Sequence, residues 1–231
     1  MAVEEATVAS EAVSRLTLGL RDSKQVLSRV MVSWMVRAPS LETDIVLAAL
    51  AQEELGHAQV LAGIYNRNFA GNGDKEENAD RVTLKDPVTH PAVRPFDRPQ
   101  ETWPEVVALL CLWDSAVTTM VDSLRSSAFG PLRHVAEKMC QEEANHWVFA
   151  RAAAADLLAR GPQVSESLRA ACKRLLPEVD QWFREIADID GLRRDGVVAD
   201  GLPLASYASK IGPILEDLKL AWPARPGAPA A

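Results

Sequence analysis

The sequence has little glycine, few aromatic residues and no series of short alternating polar and apolar runs of the kind that forms β-strands. Its 12 glycines and 6% aromatic residues stand beside 48% hydrophobic residues. Alanine, leucine, valine, glutamate and arginine dominate, and these residues favour helices. The sequence therefore predicts an all-α fold with one core, in a domain covering residues 9–222 between disordered ends at 1–8 and 223–231.

The chain also lacks an excess of positive charge and an uninterrupted apolar run of about 18 residues, the length needed to span a membrane. Its formal charge of −7 argues against nucleic-acid binding. Its start, MAVEEATVAS, has neither the basic nor the apolar region of a signal peptide. Three cysteines, Cys111, Cys140 and Cys172, have no metal-binding spacing. We therefore expect a cytoplasmic protein with reduced thiols that binds neither membrane nor nucleic acid.

Apolar residues recur at steps of three and four along several segments, which is the spacing of amphipathic helices. Proline and glycine mark where these segments end. The predicted helices cover about residues 9–36, 40–68, 103–124, 132–160 and 163–187, with a last helix after Pro213. The connection over residues 69–103 contains four prolines in its second half, which forbid a regular helix there. A connection this long is usually a crossover, with a functional loop as the alternative.

Two helix pairs joined by a long crossover, followed by extra C-terminal helices, are the plan of a ferritin-like four-helix bundle. Each predicted pair carries one copy of a repeated pattern, QEELGH at residues 52–57 and QEEANH at 141–146. In each copy a glutamate precedes a histidine by three residues, Glu54 before His57 and Glu143 before His146. Such residues share one face of a helix, and a carboxylate beside an imidazole chelates first-row transition metals. Chance placement on a helix surface is the alternative, but the repetition favours a metal site.

The other two helices of this plan should each supply one carboxylate. Helix three offers Asp114, 29 residues before Glu143, in the apolar run LLCLWDSAV where a charge needs a partner. A capping or edge aspartate is the alternative. In helix one the equivalent position, 30 residues before Glu54, holds Lys24. Asp22 is the nearest acid, but two residues rotate a side chain by about 200° around a helix, so Asp22 cannot simply substitute.

Three longer stretches carry a resemblance to a known family. WMVRAPSLETDIVLAALAQEELGHAQVL resembles the phenylacetyl-CoA epoxidase oxygenase family, with its tryptophan, Ala-Pro-x-Leu turn and metal-binding helix. LWDSAV followed by EKMCQEEANHWVFA is similar to the third and fourth helices of the catalytic subunit. The tail KIGPILEDLKLAWPARPG is similar instead to the end of the structural subunit. The resemblance covers most of residues 10–225.

This resemblance implies a ferritin-like subunit of a di-iron monooxygenase that epoxidises the ring of an aryl-CoA thioester, with O2 and with electrons from a separate reductase. The structural subunit of that family shares the fold, pairs with the catalytic subunit and lacks the metal ligands. The implied partner is therefore a second copy or a homologous subunit. The implied cofactor is iron, as one or two ions, with manganese as an alternative. The ligand positions carried over from the catalytic subunit are Glu54, His57, Asp114, Glu143 and His146.

Lys24 stands where the catalytic subunit has a glutamate, and it leaves two functions open. Three acids and one ammonium group balance one divalent metal, whereas two divalent metals would leave buried positive charge unless Lys24 lost its proton. Alternatively, Lys24 replaces the metal altogether or, in another helix register, faces solvent. We therefore expect either an oxygenase subunit, with these five ligands and Lys24 as its catalytic residues, or a non-catalytic structural subunit whose degenerate site Lys24 holds together. Ferritin-type iron storage is disfavoured.

Overall fold

The computed structural model describes residues 10–70, 80–96, 98–199 and 203–222. The predicted disordered ends, 1–8 and 223–231, lie outside these ranges. Within them the protein is all-α and has no strand, as the sequence predicts. The elements are α1 (Glu11–Trp34), α2 (Leu41–Asn68), a 3-10 helix (Pro91–Phe96), α3 (Trp103–Leu109), a π-helical turn (Leu110–Asp114), α4 (Ser115–Asp122), α5 (Gly130–Ala159), α6 (Pro162–Glu185), α7 (Ile189–Arg194) and α8 (Pro203–Asp217).

The helices form the ferritin-like arrangement that the sequence predicts. α1 packs along the length of α2, while α3, the π-helical turn and α4 pack on α5. Serine side chains cap the two N-terminal helices, since the Ser10 hydroxyl accepts from the Val13 N–H and the Ser40 hydroxyl accepts from the Thr43 N–H. One apolar cluster runs through the bundle from Val13 to Leu218. The assignment of residues 9–222 to a single domain stays a prediction.

The second half of the crossover is tied to α1 by polar side chains. Asp22, which is fully buried, accepts hydrogen bonds from the Thr89 and His90 N–H groups at 2.7 and 2.6 Å. The Gln25 amide donates to the carbonyl oxygens of Thr83 and Asp86 at 2.8 and 2.7 Å. These bonds satisfy backbone groups that an irregular segment cannot pair with itself. Asp22 therefore serves the crossover and points away from the position that a helix-one metal ligand would need.

The C-terminal helices depart from the prediction of a last helix after Pro213, which was wrong. α8 already begins at Pro203, and Pro213 lies inside it. The cost of an internal proline is offset by the apolar face of α8, on which Tyr207 and Ile211 are fully buried. Arg169 of α6 donates to the Leu218 carbonyl oxygen at 2.7 Å. The tail is thus packed on its own chain.

The longest apolar helical segment lies in the interior. Trp103–Asp122 has a mean hydropathy of 1.4 over the most apolar part of its 20 residues and so meets the length and composition of a membrane span, although Glu105 and Asp114 interrupt its apolar run. However, 89% of that window is buried among the other helices. The segment is the central helix of the bundle core, and its apolar character follows from that position.

Candidate metal centre

Lys24 lies at the centre of the bundle and is fully buried. Its ammonium group donates to the carboxylates of Glu143 and Glu54, with a Nζ–Oε1 distance of 3.1 Å to Glu54. The Asp114 Oδ1 atom lies 3.9 Å from the same nitrogen. The interpretation in which Lys24 faces solvent is therefore wrong. The α1 position at which the resemblance implies an acid points into the site, and here it carries a cation.

Asp114 reaches the site from a break in helical regularity. The five-residue π-helical turn Leu110–Asp114 separates α3 from α4. Such a turn inserts an extra residue and rotates the subsequent residues around the helix axis, and it recurs at functional sites. The buried Tyr207 hydroxyl of α8 donates to the Leu112 carbonyl oxygen inside the turn at 2.8 Å, beside the bond that the same oxygen accepts from the Ser115 N–H. The sequence predicted an uninterrupted helix here, and no local pattern indicated the turn.

The two repeated patterns meet at one carboxylate. The Nδ1 atom of His57 lies 3.3 Å from Glu143 Oε1, and the Nδ1 atom of His146 lies 3.5 Å from Glu143 Oε2. His146 Nδ1 also lies 3.2 Å from Asp114 Oδ2 and 3.3 Å from Glu54 Oε1. The structure thus brings together all six residues that the sequence singled out, including both histidine rings. Their roles as ligands stay a prediction.

Three polar residues that the sequence analysis missed complete the surroundings. The Thr118 hydroxyl lies 2.9 Å from Glu143 Oε2 and can donate to it. At the outer side of the rings, Glu142 Oε2 lies 2.7 Å from His57 Nε2, and Glu53 Oε2 lies 3.0 Å from His146 Nε2. Both glutamates were visible as the first acid of each repeated pattern. The spacing of residues within one helix, however, does not indicate which residues of another helix they contact.

The charges in the cluster hold one another in place. Burial would lower the pKa of Lys24, but the negative charges of Glu143, Glu54 and Asp114 outweigh it and raise that pKa. The three carboxylates therefore favour the protonated form of Lys24. Burial and the Glu143 charge raise the pKa of Glu54 to about 7. Burial opposes ionisation of His146, yet Asp114 raises its pKa to about 12.

The donor set fits a single metal ion. Glu54, Asp114, Glu143 and His146 each offer one ligand atom, and these four atoms all lie within 4.8 Å of one another. His57 is not part of this group. Glu54 Oε2 and Asp114 Oδ1 are buried and have no hydrogen-bond partner among the described residues, so two oxygen atoms are free to bind a cation. Carboxylate and imidazole donors suit iron and manganese. The Lys24 ammonium contacts Glu54 through Oε1 and lies 3.9 Å from Asp114 Oδ1, so it adds a positive charge beside these donors.

Comparison with known proteins identifies a family and a distant relative. The family model described as "Phenylacetic acid catabolic protein" matches residues 2–230. The chain is also similar to one of the subunits of 1,2-phenylacetyl-CoA epoxidase of Escherichia coli (strain K12), with 27% identity over 115 residues. The matched part is 49% of this chain and 35% of that relative, so the chain spans about a third of the length of the curated relative.

Proposed function

The chain belongs to the phenylacetic acid catabolic protein family, and on this basis we propose that it is part of an oxygenase similar to phenylacetyl-CoA epoxidase. It would act on an aryl-CoA thioester in the catabolism of phenylacetate-type aromatic acids, beside a separate reductase. We place it in the cytoplasm, which the free thiols of Cys111, Cys140 and Cys172 support.

The observation that carries this proposal is the group of four ligand atoms within 4.8 Å in the bundle core. We propose that Glu54, Asp114, Glu143 and His146 hold a divalent metal ion there, with iron preferred over manganese. When bound, iron would supply the activation of O2. The residues are at most 2% exposed, so the bundle excludes bulk water from them. The Thr118 hydroxyl orients the Glu143 carboxylate, which stands between the two histidine rings.

Charge balance sets the expected number of ions. Three carboxylates and the Lys24 ammonium carry two net negative charges when both imidazoles are neutral, and one divalent ion balances them. A second ion would leave two positive charges in a buried site, which is costly. We therefore propose one ion in this chain, although the related catalytic subunit is of a di-iron type.

A second candidate function is favoured by the position of Lys24. Its ammonium already contacts all three carboxylates, and the two imidazoles contact them as well. Such a cluster is compensated without any metal. The chain would then be a structural subunit that keeps the fold and supports a catalytic partner.

Metal analysis separates the two candidates. After anaerobic loading with Fe(II), the wild-type protein should hold about one iron per chain. Exposure to O2 should then change its ultraviolet-visible spectrum. Glu143→Gln should weaken iron binding by at least about 10-fold, because it removes the carboxylate that both rings share. Glu137→Gln, an exposed position on the same helix, is the matched control and should bind like wild type. If no variant and no wild-type sample binds metal, the structural-subunit candidate stands.

A homologous subunit or a second copy is also part of the proposal. The apolar tail packs on its own bundle and therefore does not offer a contact surface for this partner. On α2, by contrast, Leu41 and Ile45 are 70% and 62% exposed and lie one turn apart. Exposed neighbouring apolar side chains mark interaction surfaces.

We expect the purified chain to sediment as a dimer at micromolar concentration, since a buried contact at Ile45 would remove this apolar surface from water. Ile45→Glu should shift the population to monomer because it places a charge in that contact. Ala170→Glu, at an exposed position on α6, should leave the dimer intact. A wild-type monomer, together with the packed tail, would argue against self-association.

A further inference from the structure

Each repeated pattern contains another glutamate one position before the inward-facing one, and this residue contacts the histidine of the other copy. Glu53, on α2, contacts the Nε2 atom of His146 on α5 at 3.0 Å. Glu142, on α5, contacts the Nε2 atom of His57 on α2 at 2.7 Å. Both contacts cross between the helices, and each copy gives and receives one. In each copy of the pattern Gln-Glu-Glu-x-x-His, the second glutamate therefore points into the core, and the first contacts the histidine of the neighbouring helix.

Helix geometry explains why the contact is made across the interface. Consecutive residues on a helix point about 100° apart. With Glu54 directed into the core, Glu53 lies at the side of α2 that faces α5, and Glu142 has the same relation to Glu143. A histidine three residues after the inward glutamate shares its face. Its ring then meets the acid of the other helix.

The burial of the two partners differs. The side chains of His57 and His146 are 6% and 1% exposed, whereas those of Glu142 and Glu53 are 34% and 36% exposed. Each glutamate stands at the rim and holds a ring whose other nitrogen faces the cluster. The bond from the outer N–H fixes the ring orientation, which leaves Nδ1 as the atom available to the site.

We propose that Glu53 and Glu142 are positioning residues that fix the two imidazole rings crosswise, so that Nδ1 of each ring faces the buried carboxylates. Hydrogen-bonded carboxylates beyond a metal-binding histidine fix its tautomer and its orientation. The effect on metal affinity rests on the proposed function. The orientation of the rings does not, since the contacts exist without any metal.

The test uses the histidine signals, because the chain contains only four histidines. In protein labelled with 15N-histidine, a ring N–H held by a carboxylate gives an exchange-protected proton signal. Glu142→Ala should remove the Nε2–H signal of His57 and leave that of His146. Glu53→Ala should do the reverse. Glutamine at either position keeps an acceptor oxygen and should restore the signal in part.

Glu137→Ala is the matched control, an exposed glutamate on α5 that should change neither signal. Loss of both signals in either variant, or of neither, would overturn the crosswise assignment. A second readout is Mn²⁺ affinity, which Glu53→Ala should lower by roughly 10- to 100-fold because it releases the ring of the proposed ligand His146. Glu142→Ala, which releases the ring of His57 outside the four-ligand group, should lower it less, and the control should not change it. If the wild type binds no metal, the proposed metal site fails, but the histidine signals still decide the crosswise contacts.

Discussion

Replacing Lys24 with glutamate is expected to make folding depend on metal and to raise the iron content toward two ions per chain. The substitution removes the ammonium from the centre of three carboxylates and adds a fourth. Without metal, the buried acids lose their only lysine or arginine partner among the described contacts. Breaking a buried ion pair in this way costs about 3 to 5 kcal/mol. The metal-free variant should therefore unfold at a clearly lower denaturant concentration than wild type.

Metal should reverse this loss. The formal change of two charges offsets the charge of a second divalent ion bound beside the first. An ion at about 100 times its dissociation constant stabilises the native state by about 2.7 kcal/mol. Lysine and glutamate are similar in reach, so the packing of α1 should survive. The number of iron ions per chain tests the change in stoichiometry, and the urea concentration at the unfolding midpoint tests the change in stability. Each is measured with and without Fe(II).

Two comparisons make the Lys24 result specific. Lys173→Glu makes the same charge change at an exposed position on α6 and should alter neither stoichiometry nor midpoint. Lys24→Met removes the ammonium without adding an acid, so it should destabilise the protein without admitting a full second ion. If wild type already binds two irons, the charge argument is wrong. If Lys24→Glu binds no metal, the structural-subunit candidate is favoured.

Replacing Asp22 with asparagine is expected to destabilise the fold by about 3 kcal/mol. Its Oδ2 atom accepts from the Thr89 and His90 N–H groups, and its Oδ1 atom accepts from the Arg21 side chain at 2.7 Å. The amide nitrogen of asparagine must face one of these donor sets, since it accepts no hydrogen bond. Either orientation leaves buried donors unsatisfied and removes the charge that Arg21 pairs with.

The free energy of unfolding from urea titration measures this loss. Asp122→Asn is the matched control, because Asp122 pairs with Arg125 at a side-chain exposure of 58% and should change stability by less than about 0.5 kcal/mol. Far-ultraviolet circular dichroism should be close to wild type at low urea, since Asp22 anchors the crossover and caps no helix. An Asp22→Asn variant as stable as the control would mean that the crossover is held by other contacts.

Local patterns in the sequence were enough to place three of the long helices and the two Glu-x-x-His pairs. Helix periodicity, the serine caps and the proline breaks act over a few residues, so α1, α2 and α5 could be placed within about two residues. The three-residue spacing of Glu54 and His57 likewise indicated a shared helix face. Asp114 could be identified because a charge inside an apolar run needs a partner. These inferences need only local geometry.

The way in which the two Glu-x-x-His pairs come together depends on the packing of the helices. The sequence left open that Lys24 faces solvent, and only the packing of α1 brings it against three carboxylates from other helices. The π-helical turn at Asp114 is contacted by the Tyr207 hydroxyl of α8, which lies nearly a hundred residues away in the chain. The crosswise contacts of Glu53 and Glu142 join α2 to α5. Hydrogen bonds and ion pairs between distant segments leave no period in the sequence, because their geometry is set by how the helices pack.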